Sequence, residues 1–121
     1  MVEYSVALTS DRLDQTLLAL ADPTRRAIIA TLERGEARVT DVAAPFAMSL
    51  NSVSKHIKIL ERAHLVRRRK AGREHFLSFN PAPLEDASRW IEEKRAFWSG
   101  RLDALEHALR DDDAKAEMKA T

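Results

Sequence analysis

Ser49-Leu50-Asn51-Ser52-Val53-Ser54-Lys55-His56-Ile57-Lys58-Ile59-Leu60-Glu61 decides how the chain reads. Within it Leu50, Val53, Ile57 and Leu60 recur at three, four and three residues, the spacing of one buried helix face over three turns. Ser49 stands where an N-cap belongs, with a hydroxyl that can take up a free N–H of the first turn. Asn51, Ser52, Ser54, Lys55 and Lys58 point largely elsewhere. The reading is a helix over residues 50–64 with an apolar back and a small, polar, basic front.

Working outward, a first helix is expected from about Ser10 and Asp11, burying Leu13, Leu17 and Leu20. Asp22-Pro23 caps and opens a second, running to about Arg34 with Ala27, Ile28 and Leu32 as its core face. Gly35 ends it. A short third helix follows Thr40 as cap and carries Val42, Ala43 and Phe46, cut short or kinked by Pro45. Downstream of the quoted stretch, Leu65-Val66 leads into Arg67-Arg68-Arg69-Lys70, then Ala71-Gly72, then Arg73 to Phe79. Two extended runs about a glycine read as a β-hairpin, with His75, Leu77 and Phe79 on one face. Asn80-Pro81-Ala82-Pro83 opens a last helix whose first turn holds Glu85 and Asp86, as the helix dipole favours. It is expected to reach about Leu109 with Ile91, Trp98, Leu102, Leu105 and Leu109 in line and Trp90 and Phe97 alongside. We therefore expect a tail over residues 1–9, one domain over 10–110, and an acidic, disordered tail over 111–121.

The chain has 121 residues, a length that fits one domain and leaves no room for a multi-domain enzyme. Without cysteine it has no disulfide, thiolate metal site or thiol nucleophile. No run approaches a membrane span, and Met1 to Ser10 has no basic residue and no long apolar core, so no secretory signal is read. A cytoplasmic, nucleoid-associated protein is the expectation, with no membrane partner. The net charge of +1 hides a strong asymmetry. From Ser49 to Arg73 there are eight basic residues and one acidic, a local charge of +7. Such a stripe suits a polyanion, because each neutralised phosphate releases counterions; a solvated basic surface is the alternative.

Helices joined by a tight turn and followed by a basic hairpin form a winged helix-turn-helix, a mainly α fold. Its logic is steric and electrostatic. A helix fits the major groove, and short side chains on its outer face let the backbone approach base edges. Asn51, Ser52, Ser54, Lys55 and His56 are the candidates for base edges. Lys58, Arg69, Lys70 and Arg73 are candidates for the phosphate backbone, with the wing tip also able to enter the minor groove. Thr24 or Arg25 could touch phosphate from a helix N-terminus, while for Arg26 capping plus an internal salt bridge is at least as good an account.

Three segments resemble the ArsR-type winged-helix transcriptional repressors: Leu20-Ala21-Asp22-Pro23-Thr24-Arg25-Arg26, Met48 through Glu61, and Leu65-Val66 through Gly72-Arg73. The likeness covers roughly residues 13–109 and is most specific in the middle segment. It implies a homodimer that binds operator DNA, a duplex partner, and release by an inducer whose identity is unknown. It also places recognition contacts, by position, on Leu50, Asn51, Ser54 and Lys55. The chain departs from the metal-sensing members: Val39-Thr40-Asp41-Val42 stands where they carry a Cys-x-Cys pair, and the last helix has only His107. No cofactor is expected.

Three other readings compete. Asp103 and His107, four apart, could share a metal with a partner copy, making the protein a metal-responsive repressor, or they could be an exposed helix face. The serines could suggest nucleophilic catalysis, but no nucleophile elbow surrounds them and His56 has no orienting acid at helical spacing. An enzyme is thus the least supported class. Trp90, Ile91, Phe97, Trp98, Leu102, Leu105 and Leu109, with Leu13, Leu17 and Leu20, offer more apolar stripe than one small domain buries. A dimer interface is favoured, which would set two recognition helices about 34 Å apart. A winged-helix module that docks a protein partner through the last helix is the alternative.

Overall fold

The computed structural model describes the backbone of residues 2–120 and the side chains of residues 11–119. The elements run α1 (Val2–Leu20), α2 (Pro23–Glu33), β1 (Ala37–Arg38), α3 (Val39–Ala43), α4 (Leu50–Arg62), β2 (Val66–Ala71), β3 (Glu74–Phe79) and α5 (Ala82–Ala120). The chain divides into two compact units, one ending at Ala87 and one beginning at Ser88.

The first unit holds a mainly helical winged helix-turn-helix. Its core is built from Ile28, Val42, Val53, Ile57, Leu60, Leu65 and Leu77, all fully buried, with Leu20, Phe46, Phe79 and Leu84 packed against it. The helix spacing read from the sequence explains most of this, with three corrections. Leu50 is not part of the buried stripe but 54% exposed; it lies on the first turn of α4, beyond the packed side chains. On α2 the core takes Ile29 beside Ile28 and Leu32, while Ala27 faces solvent. Among the described side chains of α1 the buried positions are Thr16 and Ala19, with Leu13 and Leu20 half-buried and Leu17 exposed. Small side chains face inward there; the Thr16 hydroxyl is satisfied by donating to the Arg12 carbonyl at 3.0 Å.

The wing is a three-stranded antiparallel sheet in the order β1-β3-β2, where a two-stranded hairpin was expected. Ala37 pairs with Leu77 and Arg38 with Phe76. Two residues are too few to show an alternating pattern in sequence. In the hairpin, Ala71 pairs with Glu74 across the two-residue turn Gly72-Arg73, and Gly72 adopts φ +63° at the position where such turns favour glycine. α3 starts after Arg38, which offers no side-chain cap, so Thr40 lies inside the helix instead of capping it. The helix ends before Pro45.

Helical backbone extends into both expected tails. The backbone is helical from Val2, with no Gly or Pro to interrupt it before Pro23. At the other end α5 passes through Asp111-Asp112-Asp113 to Ala120. Ala114, Ala116, Glu117 and Lys119 are strong helix formers, and one favourable pair, Glu106 with Arg110 four residues on, precedes the acidic run. Met1 and Thr121, at the ends of those two tails, lie outside the described residues. No described helix is long and apolar enough to cross a membrane.

Candidate nucleic-acid interface

α4 is held at both ends. Ser49 adopts extended backbone angles, and its Oγ accepts the Ser52 N–H at 3.1 Å while donating to the Ser52 hydroxyl at 3.0 Å. At the C-terminus the Leu65 N–H reaches the Leu60 carbonyl at 3.0 Å and the His64 N–H reaches the Glu61 carbonyl at 2.9 Å. This paired arrangement requires a left-handed residue, and His64 supplies it at φ +59°. Asn80 then bonds the turn to the end of β3. Its side-chain N–H donates to the His64 carbonyl at 2.8 Å, and its backbone N–H donates to the Leu65 carbonyl at 2.8 Å. With Val53, Ile57 and Leu60 buried behind, the helix presents Asn51, Lys55 and Lys58 to solvent and leaves Ser52, Ser54 and His56 half-buried.

On the wing, Arg67, Arg68, Arg69, Lys70 and Arg73 are all exposed, but they are not equivalent. Arg69 forms a two-pronged pair with Glu36, at 2.6 and 3.2 Å, and its guanidinium lies 4.6 Å from the centre of the Phe76 ring. The hydrogen bond from Arg69 holds the Glu36 carboxyl below its usual range and raises Arg69 in turn. Arg68 reaches back to Glu61 of α4 at 2.8 Å, and Arg38 of β1 bonds Glu74 at 2.9 Å. The cations among the expected contacts thus divide: Lys55, Lys58, Lys70 and Arg73 are presented outward, while Arg69 is engaged within the wing.

Between α4 and the wing lies an open cleft of about 610 Å³ lined by Asn51, Ser54, Lys58, Glu61, Arg62, Arg68 and His75. It gathers three of the expected contact residues and adds Arg62, Arg68 and His75, which the sequence reading did not single out. Arg62 was legible as the residue one turn beyond Lys58. Arg68 shares a strand face with Lys70. His75 was placed on a strand face but not at a site; its Nδ1 is buried without a hydrogen-bond partner.

Thr24 and Arg25 lie in the first turn of α2, just after its Asp22 cap. Thr24 is half-buried, and Arg25 is only 8% exposed. The Arg25 Nε donates to the Ala19 carbonyl at 2.7 Å and Nη2 to the Leu18 carbonyl at 2.8 Å, closing the C-terminus of α1. Its Nη1 meets Nδ1 of His56 at 3.2 Å. Asp22 caps α2 by accepting the Arg25 N–H at 3.1 Å, and its Oδ2 stands 3.7 Å from the same His56 nitrogen. Desolvation works against ionised Asp22, but the Arg25 N–H, with His56 and the Arg25 charge, outweighs it and leaves the carboxyl below its usual range. Arg26 caps α1 as well, through the Leu20 carbonyl at 2.7 Å.

In the second unit α5 carries Trp90, Ile91, Phe97, Trp98, Leu102, Leu105 and Leu109 as exposed apolar side chains, with Trp98 at 62%. The Phe97 and Trp98 rings meet edge to face with centres 6.0 Å apart. Asp103 and His107 lie on the exposed surface of this helix, and no group of three metal-ligating side chains gathers among the described residues.

A capped helix with a polar, basic front beside a basic hairpin defines a winged helix-turn-helix regulator of transcription that binds DNA. Comparison with known proteins agrees. The helix-turn-helix domain family matches residues 20–69. The transcriptional repressor SdpR of Bacillus subtilis (strain 168) is 32% identical over 79 residues, which span 65% of this chain and 88% of SdpR. An ArsR-like transcriptional regulator from Rhodococcus sp. RHA1 superposes with a TM-score of 0.73 at 30% identity, over 82% of this chain and 93% of that one. The homodimeric winged helix-turn-helix domain of Mb0332 from Mycobacterium bovis, a possible ArsR-family regulator, gives a TM-score of 0.58 at 25% identity, over 79% and 86%. The chain belongs to the ArsR family of transcriptional regulators. SdpR is a transcriptional repressor, and a second relative, Rv2034 of Mycobacterium tuberculosis, is a transcriptional regulator.

Proposed function

We propose that this protein is a homodimeric repressor that reads an inverted repeat through α4 and grips the flanking backbone with its wing. The observation that carries the reading is the front of α4, where Asn51, Lys55 and Lys58 stand exposed on a helix fixed at both ends. Fixed ends favour sequence reading, because a recognition side chain must be held close to its productive geometry. Asn51, Ser52, Ser54 and Lys55 face base edges, with Leu50 offering an apolar contact to a thymine methyl. Lys58, Lys70 and Arg73 serve the phosphates, while Thr24, Arg25, His56 and Arg69 contribute chiefly by holding those elements in place.

A second copy covers the apolar face of α5, and Leu13, Leu17 and Leu20 of α1 are further candidate contacts of the pair. The positions Trp98, Leu102, Leu105 and Leu109 recur at four, three and four residues, the seam of a helix pair. The homodimeric state of Mb0332 supports pairing of two chains. The test is selection of duplexes from a random pool, followed by sedimentation of the protein alone and with the enriched DNA. The expected outcome is an inverted repeat with half-sites about one helical turn apart, bound by two chains. Enrichment of no sequence, or binding as a single chain, overturns the reading.

A further inference from the structure

Arg25 is a buried cation that bonds two carbonyls at the end of one helix and a ring on another. It comes from α2, closes the C-terminus of α1 through Leu18 and Ala19, and reaches His56 on α4. A buried guanidinium without full satisfaction is costly, so its hydrogen bonds constrain where α1 and α4 stand relative to each other. The third bond has a chemical condition. For Arg25 to donate to His56 Nδ1, that nitrogen must carry a lone pair, so the ring must be neutral with its proton on Nε2. Asp22 stands 3.7 Å from the same nitrogen, placed to pair with a protonated ring instead.

We infer that Arg25 and His56 are positioning residues for the recognition helix, locking α4 to the end of α1 only while the His56 ring is neutral. The inference deepens the DNA-reading proposal and rests on it. Among the described residues, the charged groups facing the ring are Arg25 from α2 and Asp22 from the α1–α2 junction; on α4 itself the neighbouring Lys55 and Lys58 are exposed. Protonating the ring leaves Arg25 Nη1 without its acceptor and turns the imidazolium towards Asp22. The register of α4 against α1 is then released. Sequence reading suffers because it depends on the placement of Asn51 and Lys55. Affinity for arbitrary duplex does not suffer, because a backbone contact tolerates displacement and an added positive charge favours a polyanion. Acid therefore lowers the ratio of selected to random affinity even where total binding rises.

The experiment uses the full chain, the duplex enriched in the selection above and a random duplex of equal length, titrated at a fixed salt concentration from pH 8 to pH 5.5. The ratio should fall by about tenfold, the factor of one hydrogen bond to a charged group. His56→Phe, which has no acceptor, should show the low ratio at every pH. His56→Asn, whose Oδ1 can take the place of Nδ1 without titrating, should keep a high ratio and lose the pH dependence. Arg25→Lys, which also disturbs the bonds to Leu18 and Ala19, should show a ratio at least as low as His56→Phe, and the double variant should be no worse than Arg25→Lys alone. Circular dichroism confirms that each variant is folded; if His56→Phe or Arg25→Lys is not, His56→Asn and the wild-type profile decide. A ratio flat with pH in the wild type, or a His56→Asn profile that still titrates, overturns the inference while leaving DNA reading intact. Additive losses in the double variant do the same. Failure of the selection to enrich any duplex defeats the DNA reading itself, and the inference with it.

Discussion

At the scale of single residues, the main finding is that cations close in sequence do different work. Arg69 and Lys70 are neighbours, yet Arg69 is paired with Glu36 and stacked on Phe76, while Lys70 is presented outward. Lys70→Ala should therefore weaken binding to selected and random duplexes alike and flatten the dependence of log K on log salt by about one unit. Glu36→Gln should act in the opposite sense, freeing Arg69 and steepening the salt dependence; an unchanged slope would mean that Arg69 stays on Phe76. Asn51→Ala should leave that slope alone and erode preference at one base position, at a cost of about 1–3 kcal/mol, read from competition among singly altered duplexes. The Glu36 carboxyl also has a pH signature. Its folded value lies below the usual one, so the pair's contribution is present above the unfolded value and lost as pH falls through the folded value. Carboxyl chemical shifts should show that depressed midpoint and its return to normal in Arg69→Ala. None of this division was legible beforehand, since Glu36 lies 33 residues from Arg69 in the chain.

At the scale of elements, α4 was the most legible part of the molecule. Ser49, the apolar spacing and the polar front each report on local structure, and the helix starts at Leu50 as that reading requires. What was missed is its C-terminal lock, because a histidine in a left-handed conformation leaves no signal in composition. A left-handed residue other than glycine costs about 1 kcal/mol, so His64→Gly should raise stability by up to about that amount in chemical denaturation. Ser49→Ala should lower it by about 1 kcal/mol through loss of the cap, with the same measurement as check. Among the described side chains of α1, Thr16 and Ala19 are the buried ones and Leu20 packs partly buried against the core, a choice made by contacts with other elements rather than by spacing along the helix.

At the scale of the whole molecule, the apolar face of α5 and its proposed partner copy matter most. Leu102→Glu with Leu105→Glu should yield single chains by sedimentation while leaving the thermal transition of the first unit largely in place. Binding to a two-fold duplex should then collapse to the affinity of a half-site. Persistence of a dimer would place the interface elsewhere.

The sequence by itself determined the winged helix-turn-helix class, the position of α4 and the concentration of positive charge beside it. Those follow from periodicity, capping and charge, which are properties of neighbours along the chain. Only the tertiary structure decided that Arg25 and His56 turn inward against each other, that Arg69 is held by Glu36, and that Leu50 escapes the core. The reason is that each depends on a partner, or on a missing one, brought together by packing across long stretches of chain. A side chain's exposure and pairing are set by where those elements meet.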